Sequence, residues 1–481
     1  MSNLNLIDEN YDTDFSNIKE GCMFPSYNVQ RRNLKYRFNM SLYNGKYAEN
    51  KKLIAWVDGQ PQVTDYKLIP TFKFETVVNK LDSLLFGNDV VITTGDVERD
   101  KEVNKLVDKT GWLRDIREAV KLAEIYGDSI IKTGRFGVSS CSPLHAYKVL
   151  DVSDKKHVLG YVLHELLYTK MSGVNGIDYK PSHIRILISC KGFEYERVFE
   201  YTGDRVSGII GKPVRYKYKD RWIPRKGRYY LTDIDDCETV QWLSVNTTKK
   251  GGVYGTSALE PIKDLVFAIE NRLSTENWVI DNHGKPLLLV SQHLMKTDET
   301  TGEYYLSVVN NKYVIDKGIP GDGKPEYLTW DGKLENSKQL RDDLLDEFYS
   351  LTEMGETFLT GNYKGNVSEE SLNNMIKSAL DRGTRDLNDV WYDIVKSLYV
   401  LCKLNDINIS MSDININFNV GRVDDMKIIS DICETLDGMK LFSKETLLNK
   451  FFGYSSEDAH AEFERIVKEQ KGESYDTSGY T

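Results

Sequence analysis

Apolar positions change period several times along the chain, and each change predicts an element. Residues 1–70 are polar and tyrosine-rich with weak periodicity, which predicts an N-terminal arm of extended chain or irregular strands. From Phe74 the spacing turns helical. Phe74, Val77, Val78, Leu81 and Leu85 share a face, Gly87 is the stop, and a strand follows at 90–93. The unit recurs: Leu113, Ile116, Val120, Ala123 and Tyr126 form a helical stripe that Gly127 ends before a strand at 129–132. Residues 158–245 read as antiparallel β, with strand-like runs at 161–163, 184–188, 193–201 and 214–218 punctuated by Gly, Asp and Lys. The expectation for 71–255 is an α+β domain.

Past residue 250 the character changes. The glycines of 251–255 predict a flexible hinge, and Ser257 and Glu260 have capping-box spacing, with Pro261 in the first turn where a missing N–H costs least. Leu259, Ile262, Leu265, Val266, Ile269 and Leu273 then hold helical spacing to about residue 281. A second long helix is predicted over 337–359 by Leu340, Leu344, Phe348, Leu351, Met354 and Phe358. Short strands at 287–290, 304–308, 312–315 and 326–330 lie between them. Two long helices bracketing a small β module predict a stalk with a knob. After a polar loop at 361–366, Ser368 caps a third long helix carrying Leu372, Ile376, Leu380, Leu387, Trp391, Ile394 and Leu398, with Gly383 as a kink point. Residues 414–420 alternate as a strand. Three short helices follow, capped by Asp424, Ser443 and Ser455, and then a Gly/Ser/Tyr tail.

Composition narrows the class. At 481 residues the chain is too long for one core, and 40% hydrophobic with 28% charged residues is ordinary globular usage, neither disordered nor fibrous. No apolar run approaches the ~20 residues of a membrane span. The first residues show neither a basic start nor an apolar stretch, so no signal peptide is expected. A net charge of −10 is the wrong sign for gripping nucleic acid over a broad surface, though not for a protein past which nucleic acid slides. The six cysteines lie far apart with no C-x-x-C pair, which fits reduced thiols.

Catalytic chemistry finds no foothold. Residues 318–325 have the spacing G-x-x-x-x-G-K, but Pro325 stands where a hydroxyl must reach magnesium, so the stretch reads as a hairpin turn. The seven histidines form no H-x-x-x-H pair, and G-x-S-x-G is absent. Asp235–Asp236 and Asp342–Asp343 are adjacent carboxylates, which point apart on a helix. The expectation is a structural protein with no catalytic residue, metal or cofactor.

One set of segments resembles a known family. Gly255-Thr256-Ser257-Ala258-Leu259-Glu260-Pro261, followed by Asp264-Leu265 and Glu270-Asn271-Arg272-Leu273-Ser274, resembles the start of the stem in portal proteins of tailed phages, most closely those of long-tailed phages infecting Gram-positive hosts. Residues 120–129 resemble the family's helix–Tyr-Gly–strand segment, and 441–448 with 458–466 its C-terminal region. The likeness runs in order over about residues 70–470. It implies a homo-oligomeric ring, usually of about twelve subunits, at one capsid vertex, through which double-stranded DNA is packaged and ejected. The partners implied are the terminase large subunit, head-completion or adaptor proteins, and the major capsid and scaffold proteins. The place is the virion after assembly in the host cytoplasm, with no membrane. Carried over, 71–255 is the wing, 256–284 and 335–360 the stem, and 285–334 the clip. Residues 361–367 are the tunnel loop, 368–424 a kinked helix and wing strand, and 425–481 the crown. The role of 1–70 stays open.

The residues fit that picture on their own terms. A basic channel wall would hold each phosphate in a salt-dependent well, whereas an acidic wall keeps the duplex near the axis. Asp342, Asp343 and Asp346 make a carboxylate-rich inner face plausible, against an ordinary solvated helix face. In the loop Gly361, Asn362, Tyr363, Lys364, Gly365 and Asn366, one cation and one aromatic stand between glycines that permit movement, against a simple helix connection. Two other readings stay open. Another virion or tail structural protein would not need the helix–knob–helix hairpin, and a nucleic-acid enzyme would show metal-dependent cleavage or nucleotide turnover.

Overall fold

The computed structural model describes residues 15, 17–48, 52–57, 60–87, 90–151, 153, 157–173, 176–190, 193–214, 217–218, 221–222, 227–230, 239–246, 253–283, 287–291, 296–297, 304–305, 313–316, 326–328, 334–361, 369–418, 443–452 and 456–470. The chain is mixed helix and sheet, as the α+β expectation has it. The described helices are α1 (Tyr27–Tyr43), α2 (Lys73–Phe86), α3 (Val97–Thr110), α4 (Trp112–Tyr126), α5 (Lys263–His283), α6 (Leu334–Leu351), α7 (Gly355–Thr360), α8 (Glu369–Leu404), α9 (Lys444–Phe452) and α10 (Ser456–Gln470). They fall into two compact units. The first comprises 1–44, 74–261 and 352–481, and the second 45–73 and 262–351.

In the first unit, α2, α3, α4 and α8 enclose a core in which Trp112, Ile116, Val120, Ile394 and Leu398 are fully buried. The three strands Val240–Ser244, Asp128–Gly134 and Gly137–Cys141 pack against it in that order. A larger antiparallel sheet runs Met23–Phe24, Gly208–Pro213, Phe193–Gly203, Gly176–Cys190, Val158–Gly173, Ala146–Leu150, with Gly227–Tyr230 also paired to Phe193–Gly203. This is the antiparallel region expected for 158–245. One of its faces carries a second core of Phe24, Val29, Tyr147, Val162, Ile184 and Phe199. The strand expected at 414–420 is described as Asn415–Asn417, paired antiparallel with Val91–Thr93.

Two expectations are corrected here. Residues 27–43 are a helix, not an extended arm: Ser26 caps α1 by accepting from Val29 N at 3.4 Å. Its buried face is Val29, Asn33, Tyr36, Asn39 and Leu42, a helical spacing that polar side chains hide from a hydropathy pattern. The third long helix, α8, runs through Gly383, where a Cβ would lie 2.8 Å from Leu84 Cδ2, so the missing side chain admits α2. Second, the helix expected over 337–359 is broken. α6 stops at Leu351 and α7 begins at Gly355, and between them Glu353 has φ +57° and Gly355 φ +74°, values a continuing helix does not take. Of the three expected cap residues, Ser443 is described and accepts from Thr446 N at 3.2 Å. Asp424 and Ser455 lie outside the described residues, as do 318–325 and Asp235–Asp236.

The second unit holds α5, α6 and short strands. The hairpin Lys52–Val57 with Gln60–Lys67 is antiparallel. Leu287–Ser291 is central in a three-stranded sheet, parallel to Tyr313–Asp316 and antiparallel to Glu326–Leu328. A small β module thus lies in sequence between the two helices.

Candidate functional site

The turn that ends α4 organises the first unit. Gly127, at φ +95°, closes the helix with its N–H on Ala123 O at 2.7 Å and opens the strand Asp128–Gly134. Gly255 packs directly on it. A Cβ on Gly255 would lie 1.9 Å from Gly127 O, so neither position has room for a side chain. The expected flexible hinge is therefore corrected at its described end: Tyr254 and Gly255 are held in place. Arg32 stacks 4.0 Å over the Tyr254 ring, and Gly255 N donates to Asp128 Oδ1 at 3.0 Å.

Asp128 is wholly buried and collects further donors: Tyr36 OH at 2.7 Å, Trp242 Nε1 at 2.9 Å and Ser244 Oγ at 2.6 Å. A carboxylate taken from water is tolerated only when its lone pairs are met in this way. Burial, then the Asp128 charge, pushes the Tyr36 phenol well above its ordinary range. Lys148 donates to Val253 O at 2.7 Å, and burial brings its ammonium down to about 8 although Asp128 opposes this.

The stretch from Gly255 to Pro261 continues along α4. Ser257, 1% exposed, donates to Ile125 O at 2.6 Å and accepts from Leu259 N at 3.1 Å. The expected capping box is not formed. Glu260 N bonds to the Ser257 carbonyl at 3.2 Å, the Glu260 carboxylate pairs with Lys35 at 3.0 Å, and α5 begins only at Lys263, beyond the exposed Pro261. The serine hydroxyl thus joins the end of α4 to the turn at Leu259, and the Glu260 side chain turns to Lys35.

The break between α6 and α7 has its own fastening. From α8, Arg382 Nη1 donates to the Thr352 carbonyl and Arg385 Nη2 meets Glu353 Oε2 at 2.5 Å. Arg382 also pairs with the buried Asp386 at 3.4 Å. Near them Glu124 of α4 is buried with neither carboxylate oxygen hydrogen-bonded among the described residues. Burial, and then the Asp386 charge, pushes the Glu124 carboxyl well above its ordinary range, and burial pushes Asp386 upward too. Below the break, α7 ends at the exposed Gly361, at φ +70°, whose N–H bonds Thr357 O at 3.0 Å. Asn362, Tyr363, Lys364, Gly365 and Asn366 lie outside the described residues.

In the second unit, Glu276 of α5 takes Arg341 Nη1 at 2.6 Å and Ser337 Oγ at 2.8 Å from α6. Arg341 and Ser337 sit on the arc of α6 that also carries the buried Phe348. Asp342, Asp343, Asp346 and Glu347 occupy a different arc and are exposed. Arg341 also reaches Asp342 Oδ1 at 3.8 Å from its other nitrogen, and the rest of that arc presents carboxylates to solvent. The apolar stripe expected on this helix is only partly covered: Phe348 is buried, while Leu340 and Leu351 are each 41% exposed.

The second unit also has a buried carboxylate that sequence reasoning missed. Glu270 Oε1 accepts from Tyr47 OH at 2.6 Å, Thr71 N at 2.8 Å and Thr71 Oγ1 at 3.0 Å, and Ser274 Oγ accepts from Ile69 N at 2.9 Å. These bonds pin 45–73 to α5, and burial with the Glu270 bond pushes the Tyr47 phenol well up. Asp128, Glu124, Arg382 and Arg385 were missed likewise. Their only sequence signal was membership of the two motif segments and of α8, and charge spacing alone does not distinguish a buried carboxylate from a solvated one. Among the described residues no group of three or more His, Cys, Asp or Glu side chains could hold a metal ion, and no helix is long and apolar enough to cross a membrane.

No curated protein matches the chain. Among solved structures it is similar to a chain from the neck of a native GTA particle computed with C12 symmetry, at 9% identity and a TM-score of 0.41, covering 85% of this chain and 98% of that one. The family model described as phage portal protein, SPP1 Gp6-like, matches residues 26–475. With nearly the whole chain inside that match, the protein belongs to the phage portal proteins of the SPP1 Gp6-like family.

Proposed function

We propose that this portal protein closes into a ring of about twelve copies at the capsid vertex, through which double-stranded DNA is packaged and later ejected, with the terminase large subunit and head-completion or adaptor proteins docking on it. In this reading 256–284 and 335–360 supply the stem, 285–334 the clip, 361–367 the tunnel loop, 71–255 with 368–424 the wing, and 425–481 the crown. Major capsid and scaffold proteins are its neighbours during assembly in the host cytoplasm. The observation that carries the reading, beside the family, is the solvent-facing carboxylate arc of α6. Arg341 is shared between Glu276 and Asp342, and Asp342, Asp343 and Asp346 all remain exposed. Such a surface repels a polyanion and leaves it free to slide. Exposed Leu340 and Leu351 on α6 and Ile280 on α5 support lateral packing, because apolar side chains left in water are covered when copies stand side by side.

The test is the triple variant Asp342→Lys, Asp343→Lys and Asp346→Lys in an infected cell. Rings should assemble and enter capsids, and DNA filling should slow or abort. Unchanged DNA filling would overturn the assignment of that arc to the channel. For the loop, removal of Tyr363, Lys364 and Gly365 should lower the genome content of particles, and wild-type content would remove the loop from contact with DNA.

A further inference from the structure

The large sheet of the first unit has an open edge. Ala146–Leu150 pairs with Val158–Gly173 only as far as Ala146 opposite Leu163. From His164 onward that strand is paired on its other side alone, to Gly176–Cys190, among the described residues. A cavity of about 820 Å³ runs along this edge, with Arg37, Lys132, Cys141, His164, Arg185 and Arg205 in its wall. That volume is ample for a bound segment.

The wall is lopsided in charge. Glu165 and Glu196 both pair with Arg185, at 3.3 and 3.2 Å. Arg37, Lys132 and Arg205 make no salt bridge among the described residues. Arg37 donates to the Arg205 carbonyl at 3.2 Å, and the Arg205 guanidinium lies 5.8 Å from the Tyr168 ring. His164 adds a second unmet demand. Both its ring nitrogens are buried with no hydrogen-bond partner among the described residues, and its ring lies edge-on to Phe24 at 5.1 Å. Burial, with His145 beside it, brings His164 down to about 3, so the ring is neutral and offers one donor and one acceptor. An open strand edge, three cations without a salt bridge and an imidazole without a hydrogen bond, all among the described residues, together describe a seat for an extended, acidic peptide.

The sequence that precedes Phe15 is such a segment. Residues 1–14 contain Asp8, Glu9, Asp12 and Asp14 and no Lys or Arg, and Leu4 and Leu6 alternate with Asn3 and Asn5 in strand fashion. The next residue, Phe15, packs on the apolar cluster whose members Ile184, Leu166 and Tyr201 also wall the cavity. Fourteen extended residues span about 46 Å at ~3.3 Å each, so reach is not limiting. We propose that residues 1–14 fold back into this cavity of their own subunit as an extended strand, pairing the open edge of Val158–Gly173 and setting their carboxylates against Arg37, Lys132 and Arg205. Covering the edge this way also removes a template for unwanted pairing between copies.

The experiment uses the full-length chain with Asn10→Cys, oxidised mildly and read by peptide mass spectrometry and non-reducing electrophoresis. The expected product is a disulfide within one chain between the new cysteine and Cys141 of the cavity wall. Adding Arg37→Glu and Arg205→Glu should lower its yield roughly tenfold, with circular dichroism confirming that this variant stays folded. The proposal is overturned if the new cysteine pairs instead with Cys190 near Phe15, if it links two copies, or if Cys141 does not react with it in the wild-type background. A yield unchanged by the folded charge-reversal variant overturns the electrostatic part.

Discussion

Two sets of carboxylates in this protein do opposite work. In the first unit Asp128 and Glu124 are buried; Asp128 gathers Tyr36, Trp242, Ser244 and the Gly255 backbone, whereas Glu124 has no hydrogen bond to its carboxylate among the described residues. In the second unit Asp342, Asp343 and Asp346 lie in water on one arc of α6. A buried carboxylate acts through the donors it fixes, so it sets local geometry and its loss is felt as instability. An exposed one acts through its field, so its loss is felt by whatever charge passes. Sequence places both on helices or at helix ends and cannot tell them apart; the difference lies in what packs around them.

The sharpest way to break that contrast is Asp128→Ala, which leaves four donors unmet, those of Tyr36 and Trp242 buried. It should cost about 3 kcal/mol or more, measured by urea unfolding followed through tryptophan fluorescence, to which Trp242 reports directly. A loss of under ~0.5 kcal/mol, typical of a surface change, would show that the donors find other partners. Next comes Gly255→Ala, whose new Cβ meets the Gly127 carbonyl. Overpacking of this kind costs about 2 kcal/mol, and a neutral outcome in the same assay would mean the two turns separate easily.

Glu124 sharpens the comparison through pH. Its folded carboxyl titrates above its unfolded value of 4.5 because burial and Asp386 disfavour the charge. Between those two values the folded state holds more protons than the unfolded, so stability falls as pH rises through that window. Glu124→Gln should remove that loss, adding on the order of 1 kcal/mol at pH 8 and little at pH 4, as read by thermal unfolding across pH. A variant no better than wild type at pH 8 would place a compensating cation closer than the fold shows. Smallest of all should be the triple lysine change on α6, within about 0.5 kcal/mol per site, although its effect on packaging is expected to be large.

How much was legible follows the same division. Aliphatic stripes on α2, α4 and α8 predict those helices because their buried faces are rich in Leu, Ile and Val, and one of the segments that carry the family likeness begins on α4. α1 was not legible: Asn33, Tyr36 and Asn39 fill its buried face while Leu34 and Phe38 are exposed, so the periodicity points to the wrong side. The gap between α6 and α7 was not legible either. Apolar spacing continues from Leu340 to Phe358 as though nothing happened, but the backbone turns at Glu353 and Gly355, where Arg382 and Arg385 of α8 take hold. Spacing records which residues avoid water and is blind to a backbone angle set by a distant guanidinium. The exposed arc of Asp342, Asp343 and Asp346 was legible as charge, while the partner that draws Arg341 toward it, Glu276, was not.

The most direct test images the purified full-length chain by electron microscopy at a resolution that places α6. The account predicts closed rings with an axial hole wide enough for duplex DNA and the Asp342, Asp343 and Asp346 side of α6 lining it. Single copies at high concentration, or rings in which that side of α6 faces outward, would contradict it.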